Sequence, residues 1–103
     1  MLAHSVYFSL HDSSEAAKQK LLADCKKYLA NHPGVLFFAC GTLQEELARP
    51  VNDRQFDVAL HVVFESLEAH NTYQDAPDHI KFVNENKPTW KQVRVFDSAV
   101  ESA

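Results

Sequence analysis

The chain has 103 residues, 46% hydrophobic and 23% charged, a composition for one globular domain able to bury roughly two thirds of its unfolded surface. Ten Lys and Arg against fourteen Asp and Glu leave a net charge of −4, the wrong sign for a binder of phosphate backbones, so nucleic acid is not an expected partner. With only two glycines, Gly34 and Gly41, no Gly-rich phosphate cradle can be built, and no cofactor is expected.

The segment Met1 to Tyr7 lacks a basic n-region and meets His4, so it reads as neither a signal nor a transit peptide. No apolar run approaches the ~20 residues of a membrane span, and no membrane partner is expected. Cys25 and Cys40 fall in apolar patterns without a Cys-x-x-Cys, which suits free, buried thiols in a reducing cytoplasm.

Leu2, His4, Val6, Phe8 and Leu10 alternate with smaller or polar residues, and this period of two predicts a strand. Asp12 and Glu15 have the spacing of a capping box, and Ala17, Leu21, Leu22, Cys25, Tyr28 and Leu29 then recur at helical spacing. Asn31-His32-Pro33-Gly34 stops that helix near Ala30. Its lysines, Lys18, Lys20, Lys26 and Lys27, form a solvated face.

Val35 to Leu43 is dense in Val, Leu and Phe and reads as a second strand buried on both faces, with Val35, Phe37 and Ala39 alternating against Leu36, Phe38 and Cys40. Gln44 to Gln55 is polar, holds Pro50, and reads as a long connection with room to move. Phe56, Val58, Leu60, Val62 and Phe64 mark a third strand with one strongly apolar face. Ser66 caps a short helix through Tyr73. The helix restarts at Asp75-Ala76-Pro77-Asp78, with Ile80 and Val83 turned inward. Trp90 to Asp97 supplies the last strand, with Val93 and Val95 on one face and Phe96 on the other, and the domain spans 1–98 with a short tail, 99–103, after it.

Strand, helix, strand, strand, helix, strand folds most simply into a ferredoxin-like βαββαβ sandwich, an α+β fold with a four-stranded antiparallel sheet. Its helices can cover one sheet face only. The apolar second face of the second strand therefore implies a homodimer through the sheet.

His4 before a hydrophobic strand, Pro33-Gly34-Val35, the block Val62-Val63-Phe64-Glu65-Ser66-Leu67-Glu68-Ala69, then Tyr73, Pro77, His79 and Phe82 together resemble the Dabb family, the stress-responsive A/B barrel domain. The likeness reaches from the start to about Asp97. It implies a dimer whose two sheets face each other as an α+β barrel, in a family whose members mostly lack an assigned reaction. In a plant polyketide cyclase similar to this chain, Tyr73 and His79 match the tyrosine and histidine of an aldol-type step and His4 matches a further pocket histidine. The family's usual His-Pro-x-His is Ala76-Pro77-Asp78-His79 here, and another pocket histidine of the cyclase falls at Val58.

These likenesses make His79, Tyr73 and His4 the candidate catalytic residues. His79 lies near a helix start, where the dipole disfavours imidazolium and Asp78 favours it, so a neutral ring could act as a base while Tyr73 orients it or stabilises an enolate. Alternatively, Tyr73 and His79 tie two helical pieces together by hydrogen bonds. His4 shares parity with Val6 and faces the helices, as a core or a pocket group. His61 has the opposite parity and faces the partner chain, while His11, His32 and His70 read as surface residues. No His-x-x-x-His or carboxylate cluster has ligand spacing, so no metal is expected. The leading expectation is a dimeric barrel that binds a small apolar or aromatic molecule between sheet and helices. The alternative is a cofactor-free enzyme, a cyclase-like lyase or an oxygenase of the antibiotic-biosynthesis monooxygenase kind.

Overall fold

The computed structural model describes residues 1–103 and orders them as β1 (Leu2–Leu10), α1 (Glu15–Leu29), β2 (Val35–Thr42), β3 (Val58–Phe64), α2 (Leu67–Asp75), α3 (Pro77–Asn86), a 3₁₀ turn (Lys87–Thr89) and β4 (Trp90–Ala99). The strands are antiparallel in the order β2-β3-β1-β4, the ferredoxin-like arrangement that the chain order predicts.

Pairing fixes which side chains share a face. Val6 lies opposite Leu60 and Val95, and Phe8 opposite Val58 and Val93, so alternate residues of three strands point together. Val6, Phe8, Leu10, Val58, Leu60, Val62 and Phe64 are buried against Leu21, Leu22, Cys25 and Leu29 of α1, Tyr73 of α2 and Phe82 of α3. Sealing one such side chain from water contributes about 1.5–3 kcal/mol, so this layer holds the helices down. Tyr28 of α1 donates to Glu85 at 2.9 Å and the Asn86 amide donates to Asp24 at 3.1 Å, tying α1 to α3 along their outer edge.

Several local expectations are corrected. Ser14 caps α1, its hydroxyl accepting from the Ala17 N–H at 3.2 Å, while Asp12 accepts from the Ser14 N–H. The Asp12 carboxylate is spent on that local turn, which moves the helix start on by two residues. In β2 the register slips between Val35 and Phe37, so Val35, Phe38 and Cys40 share the helix side and Phe37 with Ala39 faces away. Phe37 is 56% exposed in the single chain, so β2 is not buried on both faces by its own fold. Phe56 lies outside β3 and its ring meets Tyr7 on the open face at 4.9 Å. Ile80 is 50% exposed, and Phe82 takes the inward place instead. β4 runs past Asp97, with Ser98 and Ala99 paired to Ala3 and Leu2, so the first residue of the expected tail, Ala99, belongs to the sheet.

The connection from 43 to 57 is held at several points. Arg94 forms a two-pronged pair with Asp53 at 2.6 and 3.2 Å, Arg54 donates to the carbonyls of Glu45 and Leu47, and Asp57 accepts from the Leu10 N–H at 2.8 Å. Gly34 is required for the turn into β2. Its φ is +84°, and an added Cβ would lie 2.5 Å from the Ala69 Cβ, while its carbonyl accepts from the Glu65 N–H.

Candidate functional site

His4 takes the core-facing parity of β1 and is 5% exposed. Antiparallel pairing sets Asp97 of β4 directly opposite, and the His4 Nδ1–H donates to Asp97 Oδ1 at 2.5 Å. That bond commits the Nδ1 proton and leaves Nε2 as the ring's lone-pair nitrogen.

Ser66 caps α2, accepting from the Ala69 N–H at 3.1 Å, and this directs Tyr73 back over the sheet, where it is buried. The extended residue Ala76 and then Pro77 break the helix, and α3 starts at an angle that brings His79 against Tyr73. Their rings meet edge to face at 4.8 Å, so the two helical pieces join through aromatic contact. Tyr73 also lies 6.1 Å from His4.

His4, Tyr73 and His79 therefore line one pocket of about 170 Å³ between sheet and helices. Its remaining walls are mostly apolar: Val6, Phe8, Leu60, Phe82, Val83 and Trp90. Trp90 stacks on Phe8 at 5.0 Å and closes the far end, and its indole N–H is buried without a partner. Two valines of β4, Val93 and Val95, form the exposed rim of the pocket.

Two histidines expected at the surface join this cluster. His32 packs on Tyr73 at 5.1 Å, with its Nε2 at 2.7 Å from the Tyr28 carbonyl. His70 packs on His4 at 5.0 Å and on Phe64 at 5.5 Å. Three imidazoles thus surround the Tyr73 phenol, and His70 stands behind His4. The His79 pKa is lowered first by burial and then by repulsion from His4, His32 and His70, with Asp75 opposing. The counterweight is Asp75, where the sequence reading named Asp78. Burial pushes the Tyr73 hydroxyl upward, so at neutral pH it is a donor. The pocket therefore offers a neutral imidazole beside a protonated phenol and a second imidazole fixed by a carboxylate. Such a set can take a proton from a carbon next to a carbonyl while donating to the oxygen.

Asp97 and the neighbours His32 and His70 escape sequence spacing, because they come from β4, the α1–β2 turn and α2. The strand register alone would have found Asp97. His61 lies on the open sheet face as its parity indicates, where it meets Ser5 at 3.2 Å and Tyr7 ring to ring at 5.9 Å. Burial pushes the Cys25 thiol upward, which makes it unreactive, and both cysteines are free.

A larger concavity of about 480 Å³ occupies the open sheet face, lined by Ser5, Tyr7, Phe56, Phe96 and the 43–57 connection. The Arg94–Asp53 pair crosses it, and it holds no histidine, so the smaller helix-side pocket is the better chemical site.

The family model for the stress responsive A/B barrel domain, Dabb, matches residues 2–100. The stress-response A/B barrel domain-containing protein DABB1 of Arabidopsis thaliana is 27% identical over 104 residues, covering 100% of this chain and 49% of that protein. The chain thus spans about half the length of this relative. A Dabb family protein with a ferredoxin-like fold from Mesorhizobium loti superposes with a TM-score of 0.79 at 26% identity, over 98% of this chain and 97% of that one. A dimeric ferredoxin-like protein of unknown function from Thermobifida fusca gives 0.79 at 18% identity, over 96% and 90% of the two chains, a likeness of fold.

Proposed function

The chain belongs to the stress responsive A/B barrel domain family, and on that premise we propose that it binds a small apolar or aromatic molecule in its helix-side pocket. The observation that carries this reading is the convergence of His4, Tyr73 and His79 on one mostly apolar pocket. A volume of about 170 Å³ suits a single aromatic ring or a short branched chain, close to the ~150 Å³ known to hold benzene in an engineered cavity. A longer molecule would have to leave past Val93 and Val95 at the rim.

A carbonyl on that molecule is favoured by the polar end, where a phenol donor and a neutral imidazole stand together. This arrangement supports a second reading, cofactor-free proton transfer of the enolisation or aldol type, with His79 as base, Tyr73 as donor and His4 beside them.

The functional unit in this reading is a homodimer. Leu36, Phe37 and Phe96 are exposed on the sheet side away from the helices, and a protomer pairing there would cover them. No helix is long and apolar enough to cross a membrane. Two unpaired cysteines suit a reducing compartment such as the cytoplasm.

The direct test is thermal denaturation with single-ring probes, namely phenol, benzaldehyde and acetophenone. Saturable stabilisation is expected in the wild-type chain and its loss in Val83→Phe, which fills the pocket without touching the histidines. Absence of stabilisation by any of the three, or equal stabilisation of Val83→Phe, contradicts the reading.

A further inference from the structure

Outside the pocket's phenol and base, three potential metal ligands meet where β1, β4 and α2 come together. One nitrogen from each of His4 and His70 and one carboxylate oxygen of Asp97 lie within 4.8 Å of one another. We propose that these three residues form a binding site for a divalent transition metal, of which Zn²⁺ is the simplest occupant. This site does not depend on ligand binding in the helix-side pocket.

The donor chemistry selects the class of ion. Two imidazoles and a carboxylate suit Zn²⁺, Co²⁺, Ni²⁺ or Fe²⁺, whereas Ca²⁺ and Mg²⁺ prefer oxygen sets. Three protein ligands leave positions open to water, the pattern of sites that exchange or activate a bound molecule.

The surroundings orient the rings for this task. Asn71 Oδ1 lies 3.0 Å from His70 Nδ1 and accepts its proton, so the lone pair falls on Nε2, whose one neighbour is the Gln74 amide at a long 3.4 Å. Outer hydrogen bonds of this kind commonly fix a ligand imidazole. His4 is anchored in the core and cannot swing away. Because Asp97 sits on its Nδ1, an ion held by both residues takes the place of the Nδ1 proton, while the 42% exposed Asp97 side chain gives that ion a way in from water. With metal–ligand bonds near 2.1 Å, ligand atoms sit roughly 3–4 Å apart, so closing on an ion asks His70 or Asp97 to move by about an ångström. Asp97 is exposed, whereas His70 packs on Phe64, so Asp97 makes that movement with the least disturbance of the core.

The test titrates the metal-free full chain with Co²⁺ and follows its visible absorption. The expected result is a saturable band with one Co²⁺ per chain, removed by Zn²⁺. Asp97→Asn and His70→Gln should each weaken binding at least about tenfold with unchanged far-ultraviolet circular dichroism, and the exposed-site variant His11→Gln should bind as the wild type does. As a check that needs no variant, Zn²⁺ should move the ring ¹⁵N signals of His4 and His70 and leave those of His11 in place. No Co²⁺ band at millimolar metal, a band that survives in both variants, or Zn²⁺ shifts confined to other histidines would overturn the proposal.

Discussion

The Asp97 carboxylate accepts the Nδ1 proton of His4 at 2.5 Å, across a strand pair that links the first and last strands of the sheet. A buried imidazole and a half-exposed carboxylate are thereby joined over 93 positions of sequence. The bond sets the His4 tautomer in a ring that packs 5.0 Å from His70 and 6.1 Å from Tyr73.

Asp97→Ala should therefore release the ring. Nitrogen-15 spectra of the wild type should show His4 as the Nδ1–H form, and the variant should show a mixture of tautomers. The cost in stability should be small, about 1 kcal/mol, since Asp97 remains open to solvent screening. An unchanged His4 spectrum in Asp97→Ala would mean that another group holds the ring.

Stability should depend on His79. Its pKa in the fold lies below that of the unfolded chain, so between the two values the unfolded state carries more protons. The stability is thus fully present above the unfolded value of about 6.5 and falls as the pH drops below it. Denaturant titrations of wild type and His79→Gln should differ in their slope against pH over this window, the variant losing that part of the acid sensitivity. Identical pH dependence in the two proteins would contradict the burial of a neutral imidazole.

If a carbonyl substrate is turned over, His79→Ala should lower the rate by roughly 10²–10⁴, the range for a positioned base. Tyr73→Phe should keep the fold and lose the donor to the oxygen. The acid limb of the wild-type rate should lie below the ordinary histidine value, in keeping with the lowered pKa of His79. A rate for His79→Ala within about twofold of wild type would move the base to His4.

Gly34→Ala should be among the most damaging single changes. The positive φ disfavours a side chain by about 1–2 kcal/mol, and a Cβ 2.5 Å from the Ala69 Cβ must push α2 away from the turn. A total of about 2–4 kcal/mol would lower the melting temperature by roughly 10–30 °C, since each kcal/mol moves a domain of this size by about 4–8 °C. Ala at Gly41, where nothing lies within 4 Å of an added Cβ, is the matched control and should cost far less.

The proposed homodimer uses the open sheet face. Phe37→Asp combined with Phe96→Asp should give a monomer by light scattering at micromolar concentration, with the helix side undisturbed because both rings point away from it. A wild-type chain that scatters as 11.7 kDa would contradict the dimer itself.

Much of the architecture was legible because strands and helices here carry clean periods. Leu2 to Leu10 alternate faithfully, and Ser66, Pro77 and Gly34 punctuate the chain where structure changes. Errors arose where a local device broke the period. The bulge at Val35 and Phe37 exchanged the faces of β2, and the Asp12 turn delayed α1. At the site, His79, Tyr73 and His4 were legible through a likeness of motif, whereas Asp97, His32 and His70 were hidden. Those three become neighbours only after the sheet closes and α2 folds over it, and a spacing rule along the chain cannot see that.

The proposed function requires the helix-side pocket to take a small molecule at its histidine end. The most direct measurement is a ¹H–¹⁵N and ring-proton titration of the wild-type chain with acetophenone. Saturable shifts concentrated on His79, Tyr73, His4, Phe82 and Trp90 are predicted, with the open-face residues Tyr7, His61 and Phe96 unmoved. Shifts confined to that open face, or no saturable shift at all, would contradict it.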